Sequence, residues 1–179
     1  MILYPNAHFK NVRKIELGFL KENNINALIL DVDNTLIDYD KNLPNETIDW
    51  ANNLKKNGVK LYILSNSNKK EKVRTVAEKL GIEYMYFAKK PLKLGFKKVQ
   101  DILKEKPENI AVVGDQIFTD VVGGNRCKMF TILVEPIAEK DIWITMLKRP
   151  IENKIKQKYH KKIEQKNRAK TKLRKGHMI

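Results

Sequence analysis

Short runs of apolar residues, four to six residues long, recur along most of the chain. Ile, Val and Leu are prominent in them, and the runs are near-continuous in apolar side chains. That composition is typical of strands covered on both faces, as in a parallel sheet. The predicted strands span residues 27–30, 59–64, 83–88, 110–113 and 130–134.

Segments with apolar residues at helical spacing separate these runs. The three clearest span 44–57, 68–80 and 92–105. This alternation predicts an α/β, doubly wound (Rossmann-like) domain with a five-stranded parallel sheet and right-handed crossovers. The first 24 residues, with apolar side chains between Val12 and Leu20, are predicted to form a helix that leads into the first strand.

Length and composition agree with a folded domain. The chain has 179 residues, of which 42% are hydrophobic, enough to bury a core. No apolar run approaches the roughly 18 to 20 residues that span a bilayer, and the N-terminus lacks the pattern of a secretory signal. Cys127 is the sole cysteine, so no intrachain disulfide is possible, which favours a reducing, cytoplasmic location.

Basic residues concentrate at the C-terminal end. The net charge is +15, and residues 148–179 hold 13 Lys or Arg against two Glu, a net of +11 that leaves +4 for residues 1–147. We therefore predict a domain over 1–147 and a basic tail over 148–179. The first part of the tail is predicted to be a helix and residues 167–179 to be disordered. Its apolar stripe at helical spacing is Ile151, Ile155, Tyr159 and Ile163.

A basic tail of this kind favours anionic partners. The apolar stripe favours an anionic phospholipid membrane surface. The alternative is a basic nucleic-acid-binding protein that uses this tail on RNA or the ribosome, although the tail offers few aromatic residues to stack on bases. Binding to RNA would depend steeply on salt.

Polar side chains follow four successive predicted strands. Because ligands of open α/β sheets bind outside the carboxyl ends of the strands, these side chains are expected to share one site. In extended backbone, residues i and i+2 point to the same side, so the first two carboxylates face one pocket. The residues are Asp31 and Asp33, then Ser65 and Asn66, then Lys90, and finally Asp115 and Asp120.

This set of groups suits phosphoryl transfer. Close carboxylates favour a divalent cation, and Mg²⁺ prefers oxygen ligands such as Asp31 and Asp115. A carboxylate can attack phosphorus, Asp33 can exchange the proton, and Ser65 can donate a hydrogen bond to a phosphate oxygen. Lys90 can neutralise the charge of the transferring group.

Other proteins use paired aspartates too. A calcium loop would need Gly and Glu where this chain has Leu36 and Asn42. A glycosyltransferase Asp-x-Asp pair would not explain Ser65, Lys90 and Asp115. A response-regulator receiver would carry its phosphoacceptor after a later strand than the first.

Four segments together resemble the motifs of haloacid dehalogenase (HAD) superfamily phosphatases: residues 31–36 (Asp-Val-Asp-Asn-Thr-Leu), Ser65, Lys90-Pro91, and residues 114–120 (Gly-Asp-Gln-Ile-Phe-Thr-Asp). The resemblance implies Asp31 as nucleophile, Asp33 as acid and base, Ser65 with Asn66 as phosphate-binding residues, and Lys90 as a catalytic cation. It also implies Mg²⁺ ligation by Asp31, the Asp33 main-chain carbonyl and Asp115, with supporting roles for Asp120 and Asn125.

A longer stretch resembles the phosphatidylglycerophosphate phosphatase family within that superfamily. The stretch adds residues 64–66, 88–91, 114–126 and 131–137 to the first motif, and it departs at Ser67, where an Asn is expected. The resemblance implies an anionic phospholipid substrate and a cytoplasmic enzyme peripheral on the inner face of the membrane. A soluble sugar phosphate or nucleotide remains the alternative substrate.

The spacing of the motifs leaves no room for an inserted cap domain. Residues 34–64 and 66–89 are each taken up largely by one helix and one strand. The predicted pocket is therefore open to a bulky substrate such as a lipid headgroup.

Overall fold

The computed structural model of the chain describes residues 2–38 and 40–137, together with 154, 157–159 and 161 near the C-terminus. The chain divides into two compact units, Met1–Lys140 and Asp141–Ile179. The described residues of the second unit are helical. The predicted tail positions Ile151, Ile155 and Ile163, and residues 167–179, lie outside the described part, so the domain boundary and the tail remain predictions.

The first unit is built on a six-stranded sheet in the order β1-β6-β5-β2-β3-β4. Every neighbouring pair is parallel. The strands are β1 (Ala7–Phe9), β2 (Ala27–Leu30), β3 (Lys60–Leu64), β4 (Glu83–Met85), β5 (Ile110–Gly114) and β6 (Phe130–Val134).

Helices connect these strands. The α-helices are α1 (Leu17–Glu22), α2 (Asn45–Lys56), α3 (Lys70–Leu80), α4 (Lys93–Leu103) and α5 (Val122–Arg126). The described residues of this unit also form two 3₁₀ turns (Val12–Lys14 and Pro107–Asn109) and one π-helical turn (Ile117–Val121). Among the described residues, no helix is long and apolar enough to cross a membrane.

Strand β2 explains why the fold has helices on both faces. Its four residues are all buried, and alternate side chains enter different cores. Leu28 and Leu30 pack in the core that includes α2 and α3, whereas Ala27 and Ile29 pack in the core that includes α4. A strand buried on both faces is the reason for the continuous apolar run in the sequence. The predicted α/β doubly wound class is confirmed.

The N-terminal prediction was wrong. Residues 1–24 do not form one helix: β1 pairs with β6, a 3₁₀ turn follows, and only Leu17–Glu22 is α-helical. The Asn6 N–H donates to the Thr131 carbonyl at 2.8 Å, and the Thr131 N–H donates to Asn6 Oδ1 at 2.9 Å. These bonds join positions far apart in sequence, so local periodicity does not reveal β1, and the sheet has six strands rather than five.

The predicted strand over 83–88 is also shorter in the structure. Strand β4 ends at Met85, and residues 86–92 form the loop that leads to α4. The Ala88 N–H still donates to the Ser65 carbonyl at 2.9 Å, which holds this loop beside the end of β3.

Candidate active site

Three buried polar residues lie directly after neighbouring strands. Asp31 follows β2, Ser65 follows β3 and Asp115 follows β5, and these strands are adjacent in the sheet. Each strand end is fixed by continued backbone pairing: the Asp31 N–H donates to the Val113 carbonyl and the Ser65 N–H to the Met85 carbonyl, both at 2.9 Å. The parallel sheet therefore brings these side chains to one edge, as the sequence predicts.

A buried lysine links two of the carboxylates. Lys90 Nζ lies 2.6 Å from Asp31 Oδ1 and 2.7 Å from Asp120 Oδ1, and the three side chains are almost fully buried. Burial alone lowers the pKa of the Lys90 ammonium, but the carboxylates of Asp120 and Asp31 outweigh it and the pKa rises. Lys90 is therefore a permanent cation in the site.

Asp31 is held in an unusual environment for a carboxyl group. The pKa of Asp31 is raised to about 7: burial raises it most, the Lys90 ammonium opposes the rise, and the Asp120 and Asp33 carboxylates add to it. Desolvation disfavours the ionised form of an isolated carboxylate. The ionised form that chemistry requires therefore depends on nearby positive charge.

The backbone of Lys90 is fixed by the side chain of Asn66. The Lys90 N–H donates to Asn66 Oδ1 at 2.6 Å, and Asn66 Nδ2 donates to the Lys90 carbonyl at 3.0 Å. Both polar atoms of the amide thus engage the Lys90 main chain. This geometry favours positioning of Lys90, rather than direct phosphate contact, as the task of the Asn66 side chain.

Three buried carboxylates form a cluster suited to a metal ion. One oxygen each from Asp31, Asp115 and Asp120 lies within 4.8 Å of the others. Three carboxylates against one Lys90 ammonium leave an excess of negative charge, and buried charge must be compensated. An oxygen-rich anionic cluster is the donor set that a hard divalent cation takes. The cluster includes two predicted ligands, Asp31 and Asp115, and adds Asp120.

Asp120 reaches the cluster because Gly114 lacks a side chain. A Cβ on Gly114 would lie 2.3 Å from Asp120 Cγ, far inside contact distance. The Asp120 carboxylate also accepts hydrogen bonds at Oδ2 from the Gln116 N–H (3.3 Å) and the Thr119 hydroxyl (3.2 Å). The π-helical turn that carries it is a feature often found at functional sites.

Ser65 is oriented by the loop that follows it. Its Oγ accepts a hydrogen bond from the Ser67 N–H at 3.1 Å, so the hydroxyl hydrogen is directed elsewhere. Ser67 Oγ in turn accepts from the Lys69 N–H at 3.2 Å. The departure from Asn at position 67 therefore leaves the Ser65 geometry supported.

Asp33 lies at the solvent-exposed rim. Its side chain is 46% exposed and forms an ion pair with Lys72, near the start of α3, whose side chain is 15% exposed. Asn34, in the left-handed region at φ 59°, turns the chain directly after Asp33. Sequence reasoning missed Lys72, since nothing distinguishes it from the many other lysines of the chain.

Asn125 is engaged away from the carboxylates. Its Nδ2 donates to the carbonyls of Ile2 at 2.8 Å and Tyr4 at 3.0 Å, and its Oδ1 accepts from the Thr131 hydroxyl at 3.2 Å. These contacts fasten the N-terminal segment to β6. They favour a structural task for Asn125 over the predicted support of the site.

Comparison with known proteins identifies the family and the enzyme class of this chain. The family model described as mitochondrial PGP phosphatase matches residues 1–138. The chain belongs to this family. The probable phosphatase YqeG of Bacillus subtilis (strain 168) is 40% identical over 154 residues, covering 84% of this chain and 88% of that protein. As a PGP phosphatase family member, the chain is a HAD-superfamily phosphatase, and the predicted enzyme class is confirmed.

Solved structures share the fold at lower identity. An uncharacterized protein from Listeria monocytogenes serotype 4b matches with a TM-score of 0.53 and 18% identity, covering 66% of this chain and 85% of that one. The HAD-hydrolase YfnB from Bacillus subtilis, bound to magnesium, matches with a TM-score of 0.50 and 14% identity over 66% and 90% of the two chains. At these identities the likeness supports the fold alone.

Proposed function

We propose that this phosphatase hydrolyses phosphatidylglycerophosphate in a Mg²⁺-dependent reaction with an aspartyl-phosphate on Asp31. The observation that carries the proposal is the buried Asp31 carboxylate, 2.6 Å from Lys90 Nζ and within the Asp115–Asp120 cluster. This carboxylate is placed to act as a nucleophile because the Lys90 ammonium, together with a cation held by the cluster, would offset its charge while it stays buried.

In the first step, an Asp31 oxygen attacks the substrate phosphorus and the bond to the lipid alkoxide breaks. The ionised Asp31 is the reacting form, and Lys90 supports it by offsetting the desolvation that raises its pKa. Asp33 donates a proton to the departing oxygen; its exposure at the rim allows it to exchange that proton with solvent. The Ser65 hydroxyl donates to a phosphate oxygen.

In the second step, water attacks the phosphorus of the aspartyl-phosphate. Asp33 accepts the proton from this water, and the acyl-phosphate bond breaks to release inorganic phosphate and the Asp31 carboxylate. Throughout, Lys90 stays protonated because two carboxylates hold its pKa above the ordinary value.

Asp31, Asp115 and the Asp33 main-chain carbonyl would hold Mg²⁺, with Asp120 beside them. When bound, the ion would neutralise charge on the phosphoryl oxygens. The cluster of three buried carboxylates with a single lysine fits this group.

The lipid substrate is supported by the family match and by the absence of a cap domain among the described residues between β2 and β3. Between β2 and β3, apart from Tyr39, the described residues form a loop and α2 only. A site left open at the carboxyl ends of the strands admits a lipid headgroup presented at the membrane surface. Soluble phosphomonoesters, such as sugar phosphates or nucleotides, are the competing substrates, and we propose a cytoplasmic enzyme peripheral on the membrane.

The test compares phosphate release from vesicle-borne phosphatidylglycerophosphate and from a panel of soluble phosphomonoesters, with Mg²⁺ or EDTA. We expect the lipid to be preferred and EDTA to abolish release. Asp31→Asn should lower kcat by at least about 10⁴-fold, as removal of a nucleophile does. Asp101→Asn, an exposed carboxylate on α4, is the matched control and should keep full activity. Activity of Asp31→Asn near the control value would contradict the mechanism, and equal turnover of soluble esters would contradict the substrate.

A further inference from the structure

The described surface concentrates its large exposed apolar side chains beside the active site. Four of the seven such side chains among the described residues lie within nine positions, between 39% and 66% exposed. They are Tyr86, Phe87, Leu92 and Leu94. The buried Lys90 of the site lies in the middle of this stretch. We call residues 86–94, which comprise the loop that leads to α4 and the first two residues of α4, the apolar loop.

The apolar loop is built to stay exposed rather than to fold inward. The Phe87 N–H donates to the Ser67 carbonyl at 2.9 Å, and the Leu92 N–H donates to the Lys89 carbonyl at 3.0 Å, so the backbone is fixed. Phe87 and Lys89 both take left-handed backbone angles, at φ 52° and 54°. Large apolar groups held in water by a fixed backbone mark an interaction surface.

Exposed lysines accompany these apolar groups. Lys70 Nζ lies 5.9 Å from the Tyr86 ring centroid and Lys89 Nζ lies 5.1 Å from that of Phe87. Lys69 and Lys93 are also exposed, and neither residues 66–70 nor the apolar loop contains an acidic residue. Apolar and aromatic side chains mixed with lysines are complementary to the interface of an anionic bilayer. That interface has anionic headgroups at its surface and apolar acyl chains beneath them.

We propose that the apolar loop is the membrane-docking surface of the enzyme: its apolar side chains enter the interface of an anionic bilayer while the surrounding lysines contact the headgroups. Docking through the loop that carries Lys90 would bring the active site, at the carboxyl ends of the strands, to the level of the lipid phosphates. The proposal rests on the proposed lipid substrate for its purpose, but docking is measurable without hydrolysis. A second copy of the chain fits less well, since homotypic contact would set lysines against lysines.

The experiment measures cosedimentation of the full-length chain with vesicles of phosphatidylcholine and about one third phosphatidylglycerol, a lipid without the scissile phosphate. Leu92→Ser with Leu94→Ser should weaken binding by about tenfold or more, because two exposed side chains lose interfacial burial. The matched control is Ile102→Ser, 47% exposed at the other end of α4, which should change binding by less than about twofold.

A charge series tests the lysines separately. Lys89→Gln with Lys93→Gln should weaken binding to anionic vesicles by about fivefold for each charge lost. Lys104→Gln with Lys106→Gln, which precede β5 and so lie at the opposite end of the sheet, are the matched control. The charge effect should vanish at high salt while the leucine effect persists.

The outcomes separate docking from catalysis. If the loop variants bind vesicles as tightly as their controls, the basic tail or another surface carries the attachment and the proposal is overturned. If the leucine variant instead converts an oligomer into a monomer by sedimentation velocity, with vesicle binding unchanged, a second copy covers the loop and the proposal is likewise overturned. Loss of vesicle binding supports docking whether or not the lipid phosphate proves to be the substrate.

Discussion

The interior and the rim of the active site both contain lysine–aspartate ion pairs, but the pairs differ in burial and therefore in the free energy that depends on them. In the interior, Lys90 pairs with Asp31 and Asp120 almost without access to water. At the rim, Lys72 pairs with Asp33, whose side chain is nearly half exposed. A buried ion pair fixes the positions of its side chains because breaking it leaves a charge buried without a partner. An exposed ion pair is screened by water and contributes about 0–1 kcal/mol to the free energy of unfolding. The interior is thus set before substrate arrives, and the rim is free to exchange protons with water.

The largest effect on the free energy of unfolding should come from Lys90→Met. The substitution leaves the Asp31 and Asp120 carboxylates buried without their cation, at a cost of about 3–5 kcal/mol in the free energy of unfolding. Loss of the cation should also lower kcat by about 10³-fold. Urea unfolding and phosphate release measure the two. Lys98→Met, an exposed lysine on α4, is the control. If Lys90→Met lowered the free energy of unfolding no more than Lys98→Met does, the buried and exposed ion pairs would not differ in their contribution to stability.

Removing the charge of Asp31 should stabilise the metal-free protein at high pH. The folded-state pKa of Asp31, about 7, lies above the value of 3.8 for an unperturbed Asp. The folded chain therefore holds this proton more tightly, and stability is lost as the pH rises from about 4 through about 7. In EDTA at about pH 8.5, Asp31→Asn should be more stable than the parent by about 2–4 kcal/mol.

Denaturant unfolding at several pH values measures this difference. The advantage of Asp31→Asn should shrink as the pH falls below about 7, where the parent carboxyl becomes protonated. Mg²⁺ should stabilise the parent at high pH and the variant much less. A constant difference between the two proteins across this pH range would show that Asp31 is not the group that titrates.

Gly114→Ala should disturb the interior by a smaller amount. The added Cβ would meet the Asp120 carboxylate at 2.3 Å, so the π-helical turn must shift, with a cost of about 1–3 kcal/mol in the free energy of unfolding. Phosphatase activity should fall with the displaced carboxylate. Gly18→Ala in α1 meets nothing within 4 Å and should be neutral or stabilising. Equal behaviour of the two alanine variants would sink the steric account of Gly114.

Lys72→Met should have the smallest effect, because it acts on the exposed rim. The free energy of unfolding should change by less than about 1 kcal/mol. Activity should fall by about tenfold, the value of one charge-assisted hydrogen bond near the reacting groups. Lys79→Met, an exposed lysine in the last turn of α3, is the control for charge alone. A loss as large as that of Lys90→Met would place Lys72 with the interior instead.

The sequence reveals the strand-end residues because their signal is local. Asp31, Ser65 and Asp115 each follow a short apolar run, and parallel pairing then brings the run ends together. The fold class follows from the same runs. What the runs cannot reveal is which polar groups meet one another after folding.

Three features required the structure for that reason. Asn66 engages the Lys90 main chain across 24 positions, and Lys72 meets Asp33 across 39. Strand β1 depends on pairing with β6 over more than a hundred positions. Such contacts join positions that are far apart in sequence and form only in the folded state, so no local spacing encodes them.

The two outermost strands of the sheet limit aggregation by strand addition between molecules. Both β1 and β4 are three residues long, and both are only partly buried, whereas the strands between them are almost fully covered. A long apolar strand at a sheet margin would offer a row of unpaired N–H and carbonyl groups on which another chain could add. Here each edge of the sheet is a strand too short to pair stably with another chain. The most apolar strands lie in the interior of the sheet, where another chain cannot add to them.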